Sequence, residues 1–477
     1  MTIQWFSFFF THIKFNACPA VFCNLSIMKT AIAIFFSAIS ILAYGQEPID
    51  TRTREVVLQN VNVVPMDQER IMTDQTVIIR DSKVIAVGSK LKYNKNAYVV
   101  DAKGKYLIPG LAEMHGHVPP IDDMEPMKEV LRLFALNGIT TIRGMLGHPK
   151  HLELREMLKK GEILGPRLFT SGPSFNGSSI KTAADGERMV REHKAAGYDY
   201  LKLHPGLTME TFPAITSTAK EVGIPFVGHV SFKVGIWNAI EAGYSSIDHL
   251  DGFIEGMVPG IENLEQEAGI FGIFIADRAD ETQIPKLMKG LKEKKIWVVP
   301  TQALAERWFA PEFTPEVFLN DPSAKYMKKE TVNQWIQSKK NLVANEQYDA
   351  AKTKEFIELR RRLIKACQDN GVGLLLGCDA PQVFNVPGFS THSELEYMVL
   401  AGLTPYQALK TGTVNVAEYL GMKDAGVIKE GALADLVLLS GNPLVNIGET
   451  KNIEGVMVNG RWLSSDYIKA ELKKLEK

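Results

Sequence analysis

The chain changes rhythm near Leu107. Before that point, short stretches alternate apolar and polar positions. Glu55 to Pro65 places Val56, Leu58, Val61 and Val63 on a two-residue period, and Gln75 to Gly88 repeats it around an Asp81-Ser82 turn. Tyr98 to Leu107 adds a further pair of segments around Lys103-Gly104. Successive side chains on a strand face opposite sides, so this alternation predicts hairpins forming a small antiparallel unit.

After Leu107, apolar runs alternate with amphipathic helical segments, the pattern of parallel βαβ units. Strands are expected at Leu111–His117, Ile139–Gly144, Arg167–Ser171, Tyr200–Leu203, Pro225–His229, Ser246–His249, Ile296–Thr301 and Leu374–Asp379. Helices are expected between them, for example Met124–Leu136, Gly186–Ala196, Phe212–Val222 and Val234–Ala242. This α/β series fits a (β/α)8 TIM barrel, with a doubly wound open sheet as the alternative. No Gly-x-Gly-x-x-Gly follows any strand, so no dinucleotide site is expected. The last two units are stretched by charged and aromatic sequence. Insertions after barrel strands sit over the catalytic face, which predicts a mostly helical lid from about Ala303 to Lys354. Its aromatics (Trp308, Phe309, Phe313, Phe318, Tyr326, Trp335, Tyr348) either line a pocket or pack the lid on itself.

Beyond the barrel, helical segments at Thr404–Lys410 and Val414–Leu420 give way to β signals at 426–428, 434–439 and 453–462, the last with an Asn459-Gly460 hairpin turn. Both chain ends are therefore expected to build one small β-sandwich beside the barrel. The expected division is a leader at 1–45, the first part of the sandwich at 46–106, the barrel at 107–420, the second part at 421–466 and a charged terminal helix at 467–477.

Composition narrows the classes. A chain of 477 residues with 45% hydrophobic and 23% charged residues is ordinary for a folded globular protein. A formal charge of −1 gives no basis for binding nucleic acid or an anionic membrane. No apolar run after residue 50 is long enough to span a bilayer. The N-terminus differs. Met28-Lys29 opens a signal-peptide pattern, Ala31–Leu42 is its apolar centre, and Ala43-Tyr44-Gly45 is a small-x-small cleavage site leaving Gln46 first. Met28 is the expected true start, and the protein is expected to be exported, periplasmic or secreted; a membrane anchor is the alternative. Of the four cysteines, Cys18 and Cys23 fall in the leader, and Cys367 and Cys378 are expected as buried free thiols.

The candidate chemistry lies at the strand ends. His115-Gly116-His117 closes the first barrel strand, and residues two apart on a strand face the same side. Lys202 lies on the fourth strand, His229 ends the fifth, His249 ends the sixth and Asp379 ends the eighth. Residues at the C-terminal ends of barrel strands converge on one site. His204 lies two after Lys202, Arg143 ends the second strand and suits a carboxylate, and His392 follows the eighth strand; these are the candidate substrate contacts, with a structural role open for each.

Further motifs join this set. They are Ile108-Pro109-Gly110-Leu111, Gly138-Ile139-Thr140-Thr141-Ile142-Arg143, Glu394-Leu395-Glu396, Ala401-Gly402-Leu403-Thr404-Pro405, Ala434-Asp435-Leu436-Val437-Leu438 and Asn442-Pro443-Leu444. Together, from about Glu55 to Trp462, the chain resembles the amidohydrolase superfamily of metal-dependent hydrolases, in particular its imidazolonepropionase-like and Xaa-Pro dipeptidase (prolidase) branch. The resemblance implies two divalent ions, zinc first, with manganese, cobalt or iron as alternatives. His115, His117 and Asp379 would hold one, His229 and His249 the other, and Lys202 would bridge them as an N6-carboxylated lysine. A lysine ammonium has donors only, whereas its carbamate offers two anionic oxygens. The implied reaction is attack of a metal-bridged hydroxide on an amide bond of a dipeptide or N-acyl amino acid, with Asp379 carrying the proton to the leaving amine. A cyclic-amide, lactone or phosphotriester hydrolase is the alternative on the same site, and a non-catalytic binding protein is the alternative of another class. The expected partner is a small-molecule substrate, and a homo-oligomer is left open. Where many relatives have a Gly-Gly-His-like turn after the third strand, this chain has Gly172-Pro173-Ser174-Phe175-Asn176-Gly177.

Overall fold

The N-terminal strands are β1 (Ile49–Asp50), β2 (Val56–Val63), β3 (Met72–Arg80), β4 (Lys83–Gly88), β5 (Tyr98–Asp101) and β6 (Tyr106–Pro109). The structure is a computed structural model that describes residues 47–264 and 267–477. The expected leader, its cleavage site, Cys18 and Cys23 lie outside the described residues. Strands β3 and β4 form the predicted hairpin, with Arg80 opposite Lys83. Its two turn residues, Asp81 and Ser82, have φ of 51° and 61°, the left-handed pair that matches the twist of the flanking strands. The unit is not purely antiparallel: β5 and β6 both run parallel to β2.

Seven parallel strands follow: β7 (Leu111–Gly116), β8 (Ile139–Gly144), β9 (Arg167–Thr170), β10 (Leu201–Leu203), β11 (Phe226–Gly228), β12 (Ser246–Asp248) and β13 (Trp297–Val299). They form a three-stranded sheet, β7-β8-β9, and a four-stranded sheet, β10-β11-β12-β13. Six of the seven are buried at every position or all but one, as expected when helices cover parallel strands. The expected eighth strand, Leu374–Asp379, is not a regular strand. It makes one isolated parallel bridge, Val298 to Leu374, and Met114 N donates to Leu376 O at 2.8 Å. Thr411 O accepts from Leu376 N at 2.9 Å and Gly412 O accepts from Ala112 N at 3.0 Å, so the turn at 411–412 takes bonds that a regular ladder between this segment and β7 would use. The regular strands thus form two parallel sheets rather than one closed ladder.

The C-terminal strands β14 (Leu436–Leu439), β15 (Ile453–Val458) and β16 (Arg461–Ser464) join the N-terminal ones. The order is β1-β16-β15-β14-β6-β2-β3-β4, with β5 on β2, a nine-stranded mixed sheet. The junction is β14 against β6, where Val437 opposes Ile108. Both chain ends contribute, as expected, but hydrogen bonds unite them in one sheet instead of setting two sheets face to face. Val56, Leu58, Val77, Leu107, Leu436 and Trp462 form its buried apolar face.

Helices fall near their predicted positions. Met124–Leu136 and Phe212–Val222 match, and Ala183–Ala196 starts earlier because Thr182 and Asp185 make a reciprocal capping box. The region predicted as a lid is helical (Gln302–Trp308, Pro315–Leu319, Lys329–Val343), followed by the long helix Ala350–Asn370. The terminal helix is Ser465–Leu475, capped by Ser464. Cys367 and Cys378 are buried and free, as expected. Among the described residues no helix is long and apolar enough to cross a membrane.

Candidate metal centre

The ends of the parallel strands bring six of the predicted side chains together. His115 Nε2 lies 3.3 Å from Lys202 Nζ and 3.7 Å from Asp379 Oδ1. His117 Nε2 lies 2.6 Å from Asp379 Oδ1, and His249 Nδ1 lies 3.8 Å from Asp379 Oδ2. The His249 ring is 4.4 Å from that of His115 and 4.5 Å from that of His229. His115, His249 and Asp379 each offer a ligand atom within 4.8 Å of the others. His249 and Asp379 sit at φ of 65° and 67°, where the chain leaves the extended conformation at the strand ends.

Four of these side chains, His115, Lys202, His229 and His249, lie deep enough for burial to set their charge. His115, His229 and His249 are held well below the ordinary histidine range, first by burial and then by neighbouring cations such as Lys202 or the other imidazoles. Neutral imidazoles are the form that ligates. Burial pulls Lys202 down to about 8, against the attraction of Asp248 and Asp379. His249 Nε2 is buried without a hydrogen-bond partner. An orphaned imidazole nitrogen among neutral histidines, a carboxylate and a buried lysine suits a divalent ion, so the residues present fit a bound metal.

A second layer holds the imidazoles. Asp251 Oδ2 lies 2.9 Å from His229 Nδ1, Thr301 Oγ1 lies 2.8 Å from His249 Nδ1, and Asp248 Oδ2 lies 2.9 Å from His115 Nδ1. The Asp251 and Thr301 bonds fix ring orientation and leave the other nitrogen of each ring for a ligand, while Asp248 packs against His115 without a hydrogen bond. Glu113, on β7, accepts from the backbone N–H groups of His115 and Cys378, the thiol of Cys378 and the hydroxyl of Thr391, at 2.8 to 3.1 Å. It ties the His115 strand to the segment carrying Asp379. None of the four, Asp248, Asp251, Thr301 and Glu113, was singled out from sequence as part of the site. The available signal was Asp248-His249-Leu250-Asp251, in which two carboxylates flank a candidate ligand.

Two predicted substrate contacts are elsewhere. Arg143 is fully buried under the site, donating to Met114 O, Ser246 Oγ, Tyr419 Oη and Asp248 Oδ1. An arginine so committed inside the strands has no free face for a substrate carboxylate. His392 is buried on the helix Phe389–Leu400, with Nε2 3.0 Å from Asn137 O, and is pushed down to about 4 by burial. Neither lines the cavity at the strand ends. His204 does, its ring stacked 4.9 Å from that of His229.

That cavity is about 710 Å³. Its floor is His115, His117, His229, His249 and Asp379, and its wall comes largely from the short turns after β12. Phe271 stacks 5.0 Å over the His249 ring. The predicted lid contributes Trp308 alone. Its other aromatics pack inward, Phe318 against Trp335 and Phe384, and Tyr326 against Phe389. Burial raises two acids of the wall, Asp251 to about 7 and Glu255 to about 8, with the charge of Asp251 adding to the shift of Glu255.

Fold and site together define a candidate metal centre at the strand ends of an α/β protein. The comparisons agree on its family. The model of the amidohydrolase family matches residues 106–463. Ochratoxinase from Aspergillus niger is 24% identical over 456 residues, covering 81% of this chain and 81% of its own. Among solved structures, a Xaa-Pro dipeptidase superposes with a TM-score of 0.63 at 20% identity, over 86% of this chain and 100% of that one. A bottromycin amidohydrolase superposes with a TM-score of 0.66 at 20% identity, over 92% of each chain. The chain belongs to the amidohydrolase family, an enzyme family whose members similar to it include hydrolases of amide and peptide bonds.

Proposed function

We propose that this protein is a binuclear metal-dependent hydrolase of amide bonds, exported from the cell and cleaved before Gln46. The observation carrying the hydrolase reading is the convergence of His115, His117, His229, His249 and Asp379 on one cavity floor, with Lys202 buried beneath it against His115 and His249 Nε2 unpartnered. The two parallel sheets are read as arcs of one (β/α)8 barrel spanning 107–420. The isolated bridges Ser171 to Tyr200 and Val298 to Leu374 support that reading, as does the Met114 N to Leu376 O bond.

Two divalent ions bound here would lower the pKa of water between them and polarise the scissile carbonyl. His115, His117 and Asp379 would hold one, and His229 and His249 the other. Lys202, with its lowered pKa, keeps an amine able to capture CO2 and join the two as a carbamate. Asp379 accepts the proton of the attacking water and returns it to the leaving nitrogen as the C–N bond breaks and the C–O bond forms. Asp251 and Thr301 keep the His229 and His249 rings in place.

Metal analysis of protein expressed with zinc and bicarbonate should find about two ions per chain. Asp379→Asn should lower turnover on a dipeptide and N-acyl amino acid panel by at least about a hundredfold while leaving the melting temperature within a few degrees. Near-wild-type turnover in that variant, or no bound metal in the parent, would refute the reading. Sequencing the secreted form should find Gln46 first.

A further inference from the structure

We infer that this cavity selects amides carrying a protonated amine beside an apolar body, and that Glu255 receives the ammonium. The inference rests on the hydrolase reading for its turnover measurement, while its binding measurement stands apart. The first ground is charge. Among the described residues no lysine or arginine lines the cavity, while Asp251, Glu255, Glu267 and Asp379 do. The cations nearby are committed elsewhere. Lys202 is buried beneath the floor against His115. Arg360 is buried as well, donating to His249 O, Pro300 O and Gln302 Oε1. Lys233, beside Phe232, is exposed and is not part of the wall. Away from the metal floor, a substrate carboxylate therefore finds no lysine or arginine among the described lining residues to pair with.

The second ground is that the acids are not equivalent. Asp251 is engaged by His229 Nδ1 and by the backbone N–H of Val230. Asp379 faces His117 and His249. Glu267 is exposed at the rim. Glu255 is half-buried, forms no ion pair within the described residues, and has an Oε2 shielded from water without a hydrogen-bond partner. Arg360 attracts it from a distance without bonding to it. Burial and the charge of Asp251 raise Glu255 to about 8, so its carboxyl keeps a proton, and an ammonium brought against its cavity face would draw that proton off and pair with the carboxylate.

The third ground is the apolar remainder. Phe271, Trp308, Ile270 and Leu264 line the cavity, and Phe232 lies 54% exposed on it. Aromatic faces beside a carboxylate suit an ammonium attached to an apolar group, which a ring face attracts as well as buries.

The test uses the metal-loaded full chain and three matched amides: L-phenylalaninamide, its N-acetyl derivative and its N-succinyl derivative. kcat/KM should fall in that order, with at least about tenfold between the first and the last. In Glu255→Gln the ratio between the amine and the N-acetyl substrate should shrink to within about twofold. Titration calorimetry with phenethylamine and phenylacetate should show the amine binding more tightly, with that preference lost in Glu255→Gln. A preference for the succinyl amide or for phenylacetate overturns the inference, as does an unchanged ratio in Glu255→Gln. If no amide is cleaved but phenethylamine binds through Glu255, the hydrolysis reading fails and the selectivity stands.

Discussion

Glu113 shows how one buried carboxylate can set the position of a catalytic group it does not touch. It accepts four hydrogen bonds that join the strand of His115 to the segment of Asp379. Glu113→Ala strands those donors in a dry interior. We expect a loss of about 3 kcal/mol or more in urea unfolding, with a larger fall in kcat than in substrate affinity. His392 makes a pH prediction. Its pKa is about 4 in the folded chain and 6.5 when exposed. Between those values the unfolded chain takes up a proton that the folded chain refuses. Its contribution to stability is complete above pH 6.5 and is lost as pH falls toward 4. Wild type should therefore lose about 2 kcal/mol more between pH 7 and pH 5 than His392→Gln, measured by urea unfolding at both values. The candidate ligand types were legible because their spacing follows strand ends. For Arg143 and His392 the choice between substrate contact and structural role stayed open in the sequence, because it shows a polar residue near a strand end but not the partners that bury it.

At the scale of elements, the strand ends are built around close backbone approach. Gly228, just before His229, has φ of 117°, and a Cβ there would lie 2.5 Å from Leu203 O and 2.9 Å from Lys202 Cδ. The lysine stem can move, but the carbonyl of the neighbouring strand cannot. Gly228→Ala should cost about 2–4 kcal/mol and reduce the metal bound per chain, read from melting temperature and metal analysis. The turns after β12 make the same point for the cavity wall. Their sequence has no helical or strand period, so the lid was placed on the more strongly patterned helices after residue 302. Those helices bury most of their aromatics against one another, and the irregular turns line the site.

For the whole molecule, the site is a long-range construction, with His117 meeting Asp379 across 262 positions. An ion bound there binds only the folded chain, so chelation should lower the melting temperature; stabilisation of about 4 kcal/mol is expected at a thousandfold excess over Kd. Differential scanning fluorimetry with and without chelator measures it, and an unchanged melting temperature would count against a structurally coupled site. The sequence by itself determined the order of strands and helices and the residue types at the strand ends. Hydrophobic period records which face of each element is buried, and that is a local property. Tertiary structure decided which charges meet. It set Asp248 and Asp251 behind the imidazoles, left Glu255 Oε2 without a hydrogen-bond partner among the described residues, and joined both chain ends in one sheet. Those outcomes depend on which distant segments share hydrogen bonds and exclude water together, and no window of the sequence contains that.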